Sequence, residues 1–288
     1  METTTAGDLV RAALAASVER LLAADTQLRL DASPEAVHEA RVAVRRLRSD
    51  LRTFFVVLDR RWAFALRESL VWLADGLSAA RDADVLLARL ERQAEMLPAA
   101  DRQASGAVLR PFRDKREAAY GRVCAMLGEE RYVELLRETV AAVKSPVFAP
   151  CAADPAVDVV PTMLEDAWSK LRRTVRSRTR PAADRELHRI RIKAKRLRYA
   201  AEAVAPVAGK RALRFAKRVA RLQAVLGEHH DAVNAVRQLG EQSSRGDAPF
   251  VAGQLAALER LAACAAHARW RAAWRAVRER RRHFWRAD

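Results

Sequence analysis

The chain has 288 residues, half of them hydrophobic, with 53 Lys and Arg against 36 Asp and Glu and a formal net charge of +17. The apolar fraction excludes a largely disordered chain and is enough for a sizeable core, in one large domain or two similar halves. The positive excess selects polyanionic partners, whether nucleic acid, an acidic membrane surface or a condensed phosphate polymer, without choosing among them.

Only ten Gly and ten Pro occur, and no segment sustains a period-two alternation of β-branched residues, so an all-α chain is predicted. The opening "METTTAGDLVRAALAASVERLL" has no basic region leading into an apolar one. No apolar run is long enough to span a bilayer, so no membrane insertion is expected. Helices are predicted over residues 6–24, 34–58, 61–79, 82–97, 101–127 and 131–143. Ser33, Pro34 and Glu35 supply an N-cap, a tolerated first-turn proline and an early carboxylate for the second of them. Prolines at 146, 150, 155 and 161 mark a linker over 146–161, because proline removes a backbone donor and interrupts helix. A second set of helices is predicted over 156–179, 183–205, 209–226, 229–239 and 247–285, so one domain over 6–286 divides into halves at 6–145 and 156–286. Cys124, Cys151 and Cys264 are scattered, which implies no disulfide framework and no structural metal, and fits the cytoplasm.

Two stretches recur. "VHEARVAVRRLR" (37–48) and "LHRIRIKAKRLR" (187–198) share the His, the Arg three later and the closing basic-Arg-Leu-Arg, at an offset of 150 residues. "LADGLSAARDADV" (73–85) and "LQAVLGEHHDAVN" (222–234) align Leu73 with Leu222, Leu77 with Leu226 and Asp82 with Asp231, at an offset of 149. Two matching segments in one order on each side of the linker predict an internal duplication: two four-helix-bundle-like halves with pseudo-two-fold symmetry.

On a helix, Val37, Ala40, Val44, Leu47, Leu51 and Phe54 form the buried stripe. His38, Arg41, Arg45, Arg48 and Arg52 step the same way, about 100° around, and flank the core. In the second copy Leu187, Ile190, Ala194 and Leu197 are the buried set, His188, Arg191, Lys195 and Arg198 the basic one, and Glu202 stands where the first copy has Arg52. An ordinary solvated face interleaves acids with bases, because like charges three or four residues apart repel by a few tenths of a kcal/mol per pair, roughly. A repeated stripe of like charges is better explained by a bound anion. From His38 to Arg52 the helix rises about 21 Å, long enough to meet several successive phosphates through arginine forks.

The doubled "H-x-x-R-[hydrophobic]-x-x-[RK]-R-L-R", each copy followed by a leucine and an aspartate five residues on, resembles the conserved histidine α-helical domain (CHAD) family over most of the chain. That resemblance implies two four-helix bundles about a pseudo-two-fold axis. It also implies a basic central channel that binds inorganic polyphosphate, in a protein associated with polyphosphate granules. Carried onto this chain, the polyphosphate-binding residues are His38, Arg41, Arg45, Arg48, Arg52, His188, Arg191, Lys195 and Arg198, with Arg67 and Lys217 added. The first copy of the second motif, "LSAARD" at 77–82, lacks the glycine that Gly227 supplies in "LGEHHD", and His230 replaces Arg81.

Two other classes compete. Nucleic acid would profit from the same charges, but the stripes lack interleaved aromatics on which bases stack. The C-terminal Trp270, Trp274, Val277 and Phe284 fall at helical spacing and read as a last helix packed on the second half. An enzyme could use His38 and His188 as phosphoryl acceptors or hydrolytic groups, or begin a metal site at "EHHD" (228–231). A metal needs several converging ligands, and Asp231 reads better as a cap at a helix start. A binding protein with no catalytic residue, metal or cofactor is therefore expected.

Overall fold

The computed structural model describes residues 4–179, 181–243, 248–279 and 285. It is built of α-helices: α1 Ala6–Leu30, α2 Pro34–Thr53, α3 Arg60–Ala94, α4 Ala99–Leu127, α5 Glu130–Lys144, α6 Ala156–Arg176, α7 Asp184–Ala203, α8 Ala205–Ser243 and α9 Pro249–Glu279. Among the described residues the only β-pairing is two isolated bridges, Thr5 with Pro155 and Leu58 with Phe148.

The helix starts follow local chemistry. Thr5 and Asp8 cap each other's backbone amides at α1, a capping box. Ser33 Oγ accepts from Ala36 N–H, with Pro34 in the first turn of α2. The predicted linker is shorter than its prolines imply. Pro150 opens a short 3₁₀ turn ending at Ala153, Pro155 caps α6, and Pro161 lies inside α6, where it removes one backbone bond near the exposed Val157. The linker is strapped to the fold by Asp59 N–H donating to Val147 O at 2.8 Å and Ala6 N–H donating to Asp154 O at 2.8 Å.

Two predicted breaks are absent. The chain passes Asp82 inside α3 and Asp231 inside α8, so neither aspartate caps a helix and the motif carrying each is not a turn. α8 does break elsewhere, at Gly209, whose φ of +69° is open to glycine without strain. The start of the last predicted helix, at Asp247, and its Phe284 lie outside the described residues.

Successive helices pack on one another, α1 on α2, α2 on α3 and α3 on α4, then α6 on α7, α7 on α8 and α8 on α9. α2 and α7 also pack against each other, and each carries one copy of the basic stripe. The predicted apolar positions are the core: Val37, Ala40, Val44, Leu47, Leu51, Phe54, Leu187, Ile190, Ala194 and Leu197 are all buried. One hydrophobic cluster runs through both halves, and a smaller one joins the far end of α3 and α4 to α8 and α9. Trp168, fully buried, stacks on Trp274 at 5.5 Å and meets Phe215 edge-on at 6.5 Å, so the last helix packs on the second half as predicted.

Candidate functional site

Because the apolar stripes of α2 and α7 are pinned in the core, the cations beside them are carried to the flanks of the seam where the two helices pack. His38, Arg41, Arg45 and Arg48 on α2, Arg67 on α3, and His188, Arg191, Lys195 and Arg198 on α7 are all half-buried. Arg52 is the most exposed of the α2 stripe, and Lys217 is exposed on α8. The remaining predicted cations act on one another across elements. Arg41 feels Arg45 and Arg191, and Arg48 feels Arg67. Arg52 feels Arg196, Arg67 and Arg48, which with burial bring its pKa down to about 10. Lys195 is lowered from 10.5 to about 8, first by burial and then by Arg45, Arg191 and Arg41. Burial and the converging cations thus act in the same direction, against the ammonium.

Five guanidinium Nε donors, from Arg45, Arg48, Arg67, Arg191 and Arg198, are buried with no hydrogen-bond acceptor among the described residues, as is His38 Nδ1. Arg198 Nε lies 3.4 Å from Glu202 without hydrogen-bond alignment. Unpaired buried donors cost about 1–3 kcal/mol each. Several of them converging from three helices form an arrangement that an anion would complete.

The second motif faces the first. Arg41 Nε donates to Ser78 Oγ at 3.2 Å, and its Nη2 reaches Asp82 at 3.4 Å. In the other half Asp231 is acted on by Arg191, but Gly227 replaces the serine. A side chain there would bring Cβ within 3.5 Å of Arg191 Nε, so the glycine leaves that donor unpaired. The missing glycine of "LSAARD" thus changes the partner of one arginine and leaves α3 unbroken.

Sequence reasoning missed Arg46, Arg196 and Tyr199. The first two stand 150 residues apart in the repeated "RLR", so the signal was present. Arg46 donates to Glu202 at 2.6 Å and lies 3.2 Å from Asp50. Asp50 is buried, accepts from Ser17 Oγ at 2.6 Å, and is raised to about 6 by burial despite Arg46. The positions matching Glu202 and Arg46 are Arg52 and Arg196. One end of the seam is therefore closed by an ion pair and the other carries two cations. Tyr199, buried, has Arg198, Arg46 and Arg45 over its ring at 4.6, 5.6 and 5.7 Å, a cation–π floor under the crossing.

Three histidines at the site have depressed pKa values. Burial and then neighbouring arginines lower His38 and His188, and burial with His188 and Arg191 brings His230 to about 4. His188 Nδ1 and His230 Nδ1 lie 3.1 Å apart, so one ring donates and the other accepts. All three sit below the unfolded value near 6.5, so they withdraw stability from the free protein as pH falls below about 6.5, His230 down to about 4. Asp50, raised in the fold, works in the opposite sense below about 6. A bound polyanion favours the imidazolium. The gain in Tm on adding polyphosphate is therefore expected to be larger at about pH 5.5 than at about pH 7.5, and to lose that difference in a His38→Gln/His188→Gln/His230→Gln variant. An equal gain at both pH values would remove the histidines from the site.

Among the described residues no group of three His, Cys, Asp or Glu is placed to hold a metal ion, and no helix is long and apolar enough to cross a membrane. His229 of "EHHD" is 3.2 Å from Asp184, and Glu228 is paired with Arg89 at 2.8 Å.

The architecture has solved counterparts. PptA from Streptomyces chartreusis superposes with a TM-score of 0.78 at 24% identity, covering 95% of this chain and 100% of that one. The CHAD domain from the plant Ricinus communis gives a TM-score of 0.69 at 25% identity, covering 97% of this chain and 93% of that one. The uncharacterized protein Rv2226 of Mycobacterium tuberculosis is 30% identical over 270 residues, 86% of this chain and 49% of the relative. A counterpart from a second strain of that organism matches to the same extent. The chain spans about half the length of these curated relatives. The family model for the CHAD domain matches residues 12–240, a span that takes in both basic stripes and both aspartate motifs, and the chain belongs to the CHAD family.

Proposed function

We propose that the chain binds inorganic polyphosphate along the α2–α7 seam, as a binding module of polyphosphate granules without catalysis of its own. The same reading takes its two halves as copies of one duplicated unit. The observation that carries it is the set of five buried arginine Nε donors on α2, α3 and α7 without a hydrogen-bond acceptor among the described residues. Polyphosphate is a linear polyanion with nothing but charge and oxygen acceptors to recognise, and arginine forks answer both. Nucleic acid fits less well. Tyr199, the aromatic ring at the crossing, is buried under three guanidiniums and offers no face on which a base could stack.

Titrations at matched ionic strength test this. Long-chain polyphosphate is expected to bind far more tightly than tripolyphosphate or duplex DNA, with a steep salt dependence and no release of phosphate. DNA that displaces polyphosphate equally well would contradict the assignment, and phosphate release would contradict the non-catalytic role.

A further inference from the structure

Away from the seam, α6 and α9 enclose a cavity of about 490 Å³ lined by Arg172, Arg176, Arg178, Arg271, Arg275 and Arg278, with no carboxylate in its lining. The helix dipole explains Arg176 and Arg278, which sit in the last turns of α6 and α9. It does not explain Arg172, Arg271 and Arg275, each further from its helix end. Arg172 and Arg176, and Arg271, Arg275 and Arg278, repeat the like-charge spacing of the central stripes, which is unfavourable without an anion. None of these five forms an ion pair with a described residue. The floor is Trp274, stacked on the buried Trp168 with an interplanar angle of 17°.

Cations continue from the cleft toward the seam. Arg178 also lines an adjoining cavity of about 330 Å³ together with Arg189, Lys193 and Arg196. The carboxylate in that second cavity, Glu186, is engaged by Thr179 N–H and Oγ and by Ala183 N–H. Lys193 and Arg196 in turn act on Arg52 and Arg67, at the open end of the seam. The opposite end is closed by Arg46 and Glu202, 2.6 Å apart.

We propose that a polyphosphate chain seated in the seam leaves it on the side of Arg52 and Arg196, crosses α7, and continues into the arginine cleft between α6 and α9 as a second subsite for long chains. The inference rests on the seam being the primary site. A phosphate chain fits the cleft better than single-stranded RNA, because Trp274 is buried with 9% of its surface exposed and presents no open ring for a base.

The test uses the full chain carrying Arg172→Glu and Arg275→Glu, with Arg172→Gln and Arg275→Gln as a milder pair, and circular dichroism to confirm folding. Against long-chain polyphosphate the Glu pair is expected to raise Kd about ten-fold or more and to reduce the salt slope. The Gln pair should move both in the same direction by less, and tripolyphosphate binding should be unchanged. Unaltered affinity and salt slope for the long chain would overturn the second subsite while leaving the seam assignment standing. Equal losses for tripolyphosphate and the long chain would also overturn it, since the cleft would then not be specific to long chains. So would single-stranded RNA whose binding depends on the cleft more than polyphosphate does. An Arg45→Glu variant that binds both chains normally would instead sink the seam itself.

Discussion

Reversing Arg41 and Arg45 to Glu together is expected to weaken long-chain polyphosphate binding by roughly 100-fold or more, since each charge-assisted hydrogen bond is worth about 1.5–3 kcal/mol. Both side chains sit where α2 meets α7. Arg41 acts on Arg191, and Arg45 and Arg41 act on Lys195. The fold should survive, because neither side chain belongs to the apolar stripe, and the repulsion relieved at Arg191 and Lys195 offsets the loss of the Arg41 contacts to Ser78 and Asp82. An independent readout is the titration of Lys195, which should rise from about 8 toward the ordinary lysine range once the cations beside it are gone. The loss should shrink as salt is raised, because fewer counterions are released per bound chain. Unchanged affinity in a folded variant would place the site elsewhere.

Arg46, one residue along, should behave in the opposite way. It pairs with the buried Asp50 and with Glu202, so Arg46→Met strands a carboxylate in the core. A loss of roughly 3 kcal/mol is expected at neutral pH, or a fall in Tm of about 5–10 °C for a chain of this size. Adding Asp50→Asn should recover much of the loss, because the amide oxygen can still accept from Ser17 without burying charge. The pH dependence has a definite sign. Asp50 is already raised to about 6, above its unfolded value, so protonation restores stability as pH falls through that range. Arg46→Met should therefore be least damaging near about pH 5. Polyphosphate affinity should change far less than in the Arg41→Glu/Arg45→Glu variant. Denaturant melts of the single and double variants measure this directly, and a loss that Asp50→Asn does not relieve would assign Arg46 another role.

Adjacent arginines with such different expected behaviour show what the sequence could carry. Helical periodicity found the buried stripes of α2 and α7 residue by residue, because a 3.6-residue repeat is a local property. The basic stripe followed by rotation. Which arginine meets a carboxylate is only partly local. Glu202 reaches Arg46 from 156 residues away, and within α2 only the i,i+4 spacing of Arg46 to Asp50 sets it apart from Arg45. The aspartates of the second motif misled for a related reason. Asp82 and Asp231 carry the residue type of a cap but lie within long helices, where they face Arg41 and Arg191. Lys217, paired with Arg67 by the 150-residue offset, stands exposed on α8 where Arg67 is half-buried. Arg196 shared the repeat with Arg46, yet its importance appears only once its neighbours Arg52 and Arg67 are in place.

The central claim concerns where phosphate oxygens sit, so the most direct measurement is a crystal structure of the chain with bound polyphosphate. The seam assignment predicts phosphate density between α2 and α7, with oxygens accepting from the Nε donors of Arg45, Arg48, Arg67, Arg191 and Arg198. Phosphates bound only to exposed cations such as Lys217, with those five donors still unpaired, would contradict it.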